Sequence, residues 1–371
     1  MLPCRQRMAA RALRRPAGGW ARLSAWRCLI GATAALVAAT LLAPRSVAED
    51  DRREPPASVE KVEIEARPIA HFQRGRLDLK RFGPLELRGG LVLSSSSPSF
   101  GGWSGLAMAA DGKSLVAVSD IGVWMMADLT YDGSRPAKLV RAEVGPLRGT
   151  GNRQLSTKRL QDAESLALLD GTLARGTLLI GFERIHRIGR FEVRDGQVRA
   201  PSGYLRLPPE ASRMQQNQGI EALAVLQAGP LKGSVVAFAE RFTRGSGYHT
   251  GWIWVRGEPQ AIHLKDIDAF NITDAAALPD GGLLVLERFY RWTEGVRMRI
   301  RHLAAAEIVP GARLTGRTLI EADSGYEIDN MEGMAVHRGP LGETVVTLIS
   351  DDNFNSFLQR TVLLQFSLAQ D

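Results

Sequence analysis

Cysteine is almost absent: the 371 residues hold two, Cys4 and Cys28. Both fall in an N-terminal stretch that reads as a leader, so the mature chain has no disulfide, no thiol nucleophile and no thiolate metal site. Long amphipathic helices are missing after residue 60. Catalytic motifs are missing as well. No G-x-S-x-G elbow occurs, since Gly102-Trp103-Ser104-Gly105 has the wrong register. There is no H-E-x-x-H, no P-loop and no G-x-G-x-x-G after a strand. Serine hydrolase, zincin, nucleotide-binding and dinucleotide-binding readings therefore have no support.

A basic surface is missing too, although the whole chain carries +7. Residues 1–48 contain eight arginines and neither lysine nor acid; the remaining 323 residues hold 39 basic side chains against 40 acidic ones. The excess belongs to the leader, so no nucleic-acid partner is expected. The leader has an apolar run of 16 residues, Cys28 to Ala43, followed by small residues at Ser46-Val47-Ala48. That is the form of a secretory signal, and the run is short for a membrane span. A periplasmic or secreted protein is expected, touching a membrane only through an uncleaved leader. Arg14-Arg15 lacks the apolar residues of a twin-arginine signal, having Pro16-Ala17-Gly18 instead. Residues 49–60, charged and proline-rich, predict a disordered lead-in to one domain over 61–371.

What is present is a repeat. An apolar strand with a polar residue near its start, a turn, and a second apolar strand ending in charge recur along the chain. Aligned on the polar residue, the copies start at Ser104, Glu164, Glu221, Asp274 and Glu332, with spacings of 60, 57, 53 and 58. Strand-turn-strand units at such a period predict a repeat architecture. The second copy offers four strands, 164–169, 177–183, 186–193 and 198–207, with turns at Asp170-Gly171 and Asp195-Gly196. Asp162–Leu169 and Leu303–Ile308 have helical propensity, but recurrence ahead of a β-rich run argues against a helix for the first. The last copy has three strands, and Leu85–Ser94 is a strand without a repeat. The expected fold is all-β, a propeller of five four-stranded repeats closed by lending that N-terminal strand to the last blade. Residues 62–100 leave room for a sixth blade.

Inner strands of a propeller run along its axis, and loops at one end form the binding face. The acids at strand starts (Glu164, Glu221, Asp274, Glu332) and at second-strand ends (Asp120, Glu183, Glu240, Glu287, Asp351) are expected to gather there. Crowded carboxylates need compensation. Calcium, which takes six to eight oxygens, is one source, with Glu164, Glu221, Asp274, Glu332, Asp351 and Asp120 as candidate ligands. The arginines that follow three acids, Arg184, Arg241 and Arg288, are the other, as struts between blades or as substrate clamps. Asp351, Asn353 and Asn355 are spaced like calcium-loop ligands, but Ser356 and Val362 break the EF-hand pattern, and an Asx turn has the same composition. His186, just after Glu183-Arg184, is the candidate proton carrier, with a backbone-bonded loop histidine as the alternative.

Taken together, Phe100–Leu106, Phe182–Ile188, Gly219–Leu223, Leu278–Arg288 and Asn330–Ala335 with Ser350–Asn355 resemble the bacterial phytase-like family, described as having esterase-like activity of phytase. The resemblance, over roughly 80–370, implies a propeller, export and a polar site at one end of the ring. It also implies kinship with calcium-dependent phosphatases and esterases. On that reading Glu183, Arg184, His186, Arg241 and Arg288 serve catalysis on a small-molecule ester, in a monomer. The alternative is a non-catalytic binding propeller whose acid–arginine pairs are structural.

Overall fold

A computed structural model describes residues 54–240, 242 and 246–369. The expected leader and Arg241 lie outside the described residues. Of the lead-in expected to be disordered, the described end is tied to blade 1. Arg148 donates to the Ala57 carbonyl at 2.7 Å, and Glu60–Lys61 pairs with Val144 and Glu143. Backbone pairing to an open sheet edge outweighs the charged composition there.

Five antiparallel sheets follow in chain order. Blade 1 holds Trp103–Met108, Ser114–Ser119, Val123–Asp132 and Arg135–Pro146. Blade 2 holds Ala163–Gly171, Arg175–Phe182, Arg187–Arg194 and Gln197–Tyr204. Blade 3 holds Ile220–Val225, Val235–Ala239, Tyr248–Val255 and Glu258–Lys265, and blade 4 Asn271–Ala277, Leu283–Arg291, Gly295–Leu303 and Arg317–Ala322. Blade 5 holds Asn330–Arg338, Thr344–Asp351 and Thr361–Leu368, and Leu85–Ser94 pairs antiparallel with the last of these. Glu65–Ile69 joins the same sheet outside Leu85–Ser94, so residues 62–100 build no sixth blade. The first strand of each blade is innermost and touches the first strands of both neighbouring blades.

Alternation explains why these segments pair and stack. The second strands are apolar on both faces because each is sandwiched between two blades. Leu178 and Ile180 enter the cluster shared with blade 1, whereas Leu179 enters the one shared with blade 3. Val236 and Phe238 face blade 4; Val235, Ala237 and Ala239 face blade 2. Five apolar clusters result, one between each pair of neighbours. Each fully buried Leu or Phe contributes roughly 1.5–3 kcal/mol. Two-residue turns at Asp195-Gly196 and Arg256-Gly257, all four at positive φ, match the right-handed twist of their hairpins. Among the described residues helix is confined to Lys158–Gln161 and short 3-10 turns, and no helix is long and apolar enough to cross a membrane.

Candidate functional site

Every innermost strand breaks its pairing at the same place in the repeated phrase, and that of blade 2 breaks a second time between Leu168 and Asp170. The register skips Ser104, Glu164, Glu221, Thr273 and Glu332. Such a bulge leaves one residue unpaired and re-aims its side chain. The position just after it must be small where two inner strands close in. A Cβ on Gly105 would lie 2.9 Å from Cβ of Leu166, and one on Gly333 would lie 3.0 Å from Cβ of Leu106.

The second strands end in step with these bulges. Asp120, Glu183, Glu240, Arg288 and Asp351 stand opposite Gly102, Asp162, Gly219, Asn271 and Asn330. Blade 4 therefore corrects the alignment drawn from sequence by one residue in both series. Its bulge residue is Thr273 rather than Asp274, and its strand-end residue is Arg288 rather than Glu287. Blades 1, 2, 3 and 5 bring a carboxylate to this level and blade 4 brings a guanidinium.

Asp274, expected as a metal ligand, is a clamp between inner strands. It is wholly buried, and its carboxylate accepts from the backbone N–H groups of Ala275 (2.8 Å) and Met334 (2.7 Å) and from Leu223. Burial pushes its pKa well up, while the three N–H groups pull it back. Glu287 also leaves the axis. It is buried between Arg299 and Arg301, accepting from both Nε atoms at 2.8 Å. Arg301 continues to the carbonyls of Lys265 (2.9 Å) and Thr315 (2.7 Å), and Arg299 to that of Ile267 (2.8 Å). This triad is a strut from blade 4 to blade 3.

The remaining carboxylates do converge. Burial first, and then the negative charge of Asp162, Glu221, Glu183 and Asp120, pushes Glu164 well above the usual glutamate range. Glu221 is raised by burial and by Glu183, Glu240, Glu332 and Asp162. Asp351 is raised by burial and by Glu332 and Asp120. Glu164 and Glu221 are half-buried, so they line the mouth while being crowded by protein on its other sides. One carboxylate oxygen each from Asp162, Glu164 and Glu183 lies within 4.8 Å of the others. Glu183 itself, held by burial and by Asp162 against one N–H bond from Gly219, is pushed up to about 8.

Among the described residues, three internal cations reach this cluster. Lys158 bridges blades 1 and 2, with Nζ at 2.6 Å from Asp120 and 2.7 Å from Asp162. Arg184, at φ +55°, also pairs with Asp162, not with the Glu183 it follows. Arg288 reaches Glu332 at 3.5 Å, and Asn330 donates Nδ2 to the same carboxylate at 2.8 Å. Among the described residues, three polar atoms here are buried without a partner: Oε1 of Glu221, Nε of Arg288 and Oδ1 of Asn330.

Two candidates turn away from the mouth. His186 faces the backbone of Met214 and Gln215, and among the described residues its buried Nδ1 has no partner; burial lowers its pKa. The loop after Asp351 is a pair of Asx turns, with Asp351 accepting from Asn353 N at 2.6 Å and Asp352 from Phe354 N at 3.1 Å. Asp351 stays with the acid cluster, whereas Asn353 and Asn355 line a neighbouring cavity. Sequence reasoning missed Asp162, Lys158 and Asn330. Asp162 and Asn330 share one place in the phrase, two residues before the bulge, which was a legible signal. Lys158 had none, because its reach depends on a loop folding back under the ring.

No curated protein matches the chain. Among solved structures it is similar to the β-propeller domain of Cps50 (Swd1) from Myceliophteria thermophila, at 9% identity and TM-score 0.38 over 83% of this chain and 100% of that one. It is also similar to the Dos1 propeller, at 8% identity and TM-score 0.34 over 77% and 73%. The family model that matches, across residues 98–354, is phytase-like, described as esterase-like activity of phytase, and the chain belongs to that family.

Proposed function

We propose that this chain is an exported, monomeric propeller that hydrolyses phosphate or carboxylic esters with calcium at the acid-lined end of its axis. The family points to hydrolase-type function. The observation that carries the reading is the trio Glu164, Glu221 and Glu332, on equivalent bulges of three blades, with Arg288 at 3.5 Å from Glu332 and a partnerless buried Oε1 on Glu221. An oxygen-only donor set of that kind fits a hard cation.

Glu164, Glu221 and Glu332 would hold the ion, with Asp351 and Asp120 beside them. A bound calcium supplies positive charge that polarises an ester oxygen and acidifies water. Arg288 offers a donor to the developing oxyanion. Glu183, whose carboxyl burial and Asp162 push up to about 8 in the metal-free chain and which calcium would draw toward its ionised form, replaces His186 as the group that accepts a proton. Lys158 and Arg184 hold Asp162 in place.

Elemental analysis of protein purified without chelator, together with turnover of p-nitrophenyl phosphate and p-nitrophenyl acetate with and without EDTA, tests the reading. Bound calcium and EDTA-sensitive turnover lost in Glu221→Gln are expected. Metal-free protein without turnover would leave the second reading, a binding propeller, which the Glu287–Arg299–Arg301 strut favours by showing acid–arginine pairs used for structure.

A further inference from the structure

Beside the mouth, sharing Arg288 and Asn330 with it, lies a cavity of about 630 Å³ between blades 4 and 5 and the loop 353–360. That size suits a small organic ligand. Its charge is opposite to the mouth's, since Arg74, Arg288 and Arg360 line it against Asp329 alone. Arg74 and Arg360 are engaged by Glu327, each at 2.9 Å. Arg288 is under-used, its Nε having no partner. Asn330, only 2% exposed, likewise keeps a free Oδ1.

The other walls combine the apolar Tyr290, Val296, Ile328 and Leu358 with the uncharged polar Ser324, Asn353, Asn355 and Gln359. Trp292, two residues after Tyr290, and Phe357, just before Leu358, are 86% and 93% exposed. Exposed large apolar side chains on the segments that line a pocket mark a binding surface. A cation at the inner end and aromatic side chains at the outer end together define an amphiphilic ligand.

We infer that this cavity receives the organic half of an ester with a single anionic head group: one phosphate or carboxylate at Arg288, and an aromatic or branched alkyl group against Tyr290 and Leu358, beside the exposed Trp292 and Phe357. The inference rests on the hydrolase reading for turnover but not for binding. A ligand charged on every side would place charge against the apolar walls, so the preferred substrate is an aryl or alkyl monoester.

The test uses the full chain and two matched pairs: 2-naphthyl phosphate against ethyl phosphate, and mono-2-naphthyl succinate against monoethyl succinate. The two pairs separate a phosphate head from a carboxylate. Tryptophan fluorescence titration, with and without calcium, is expected to show at least about tenfold tighter binding of the naphthyl member of one pair. Tyr290→Ser and Trp292→Ser, both at exposed positions, should erase that preference, and Arg288→Gln should weaken both members alike. Equal binding within both pairs, or a preference untouched by Tyr290→Ser and Trp292→Ser, overturns the cavity assignment. So does a dimer seen by light scattering that Trp292→Ser dissolves. Naphthyl preference in binding without any turnover overturns the hydrolase reading and keeps the cavity; turnover without preference does the reverse.

Discussion

Blades 2 and 4 carry the same phrase and the same strand order, yet they present opposite chemistry to the axis. Blade 2 offers Glu164 at its bulge and Glu183 at its strand end; blade 4 offers Thr273 and Arg288. Both blades own suitable acids. In blade 4 they are displaced by one residue, and a one-residue shift in a strand sends a side chain to the opposite face. Asp274 and Glu287 are thereby turned from lining groups into a clamp and a strut. The site is polarised as a result: carboxylates come from four sides and a guanidinium from the fifth.

The largest test of this contrast is stability. Glu287→Ala takes the buried carboxylate from two buried guanidiniums, leaving Arg299 only the exposed Asp268 at 3.6 Å, and should cost about 3–5 kcal/mol in denaturant unfolding. Glu164→Gln, which removes a crowded charge, should cost nothing in EDTA and is expected to stabilise the metal-free protein. Comparable losses in both variants would erase the distinction between strut and lining.

Calcium sharpens the comparison further. Glu221→Gln should lower calcium affinity by at least about tenfold, read by titration calorimetry. Saturating calcium, at about a hundred times its dissociation constant, should stabilise the unaltered chain by about 2.7 kcal/mol. Asp274→Asn should lose about 1–3 kcal/mol equally in calcium and in EDTA, since its carboxylate serves backbone N–H groups. A calcium-specific loss at Asp274 would return it to the ligand set.

The smallest effect is in pH. Glu183, raised to about 8 in the folded chain, binds a proton there that the unfolded chain has lost above its ordinary value near 4.3. Its contribution is fully present below that ordinary value and fades as pH rises through about 8. Metal-free protein should therefore melt at a lower temperature at pH 9 than at pH 6. Glu183→Gln should flatten the slope, and calcium, which favours ionised carboxylates, should reverse it.

The five repeats and the second-strand cores were legible because both depend on a repeat period and on apolar runs, which are linear properties. The convergence of Glu164, Glu221 and Glu332 was legible for the same reason. The histidine was not: His186 is next to the acids in sequence but faces a loop some thirty residues on, at Met214 and Gln215. Arg184 was half legible, in that it meets an acid, though the acid is Asp162 from the preceding strand.

By itself the chain determined that five repeats form blades and that acids recur near one end of each, because alternation and spacing are written residue by residue; whether residues 62–100 add a sixth blade it left open. Tertiary structure alone decided which of two adjacent residues faces the axis. That choice is made by a bulge in each inner strand, and a bulge is settled by how closely neighbouring strands pack around the ring.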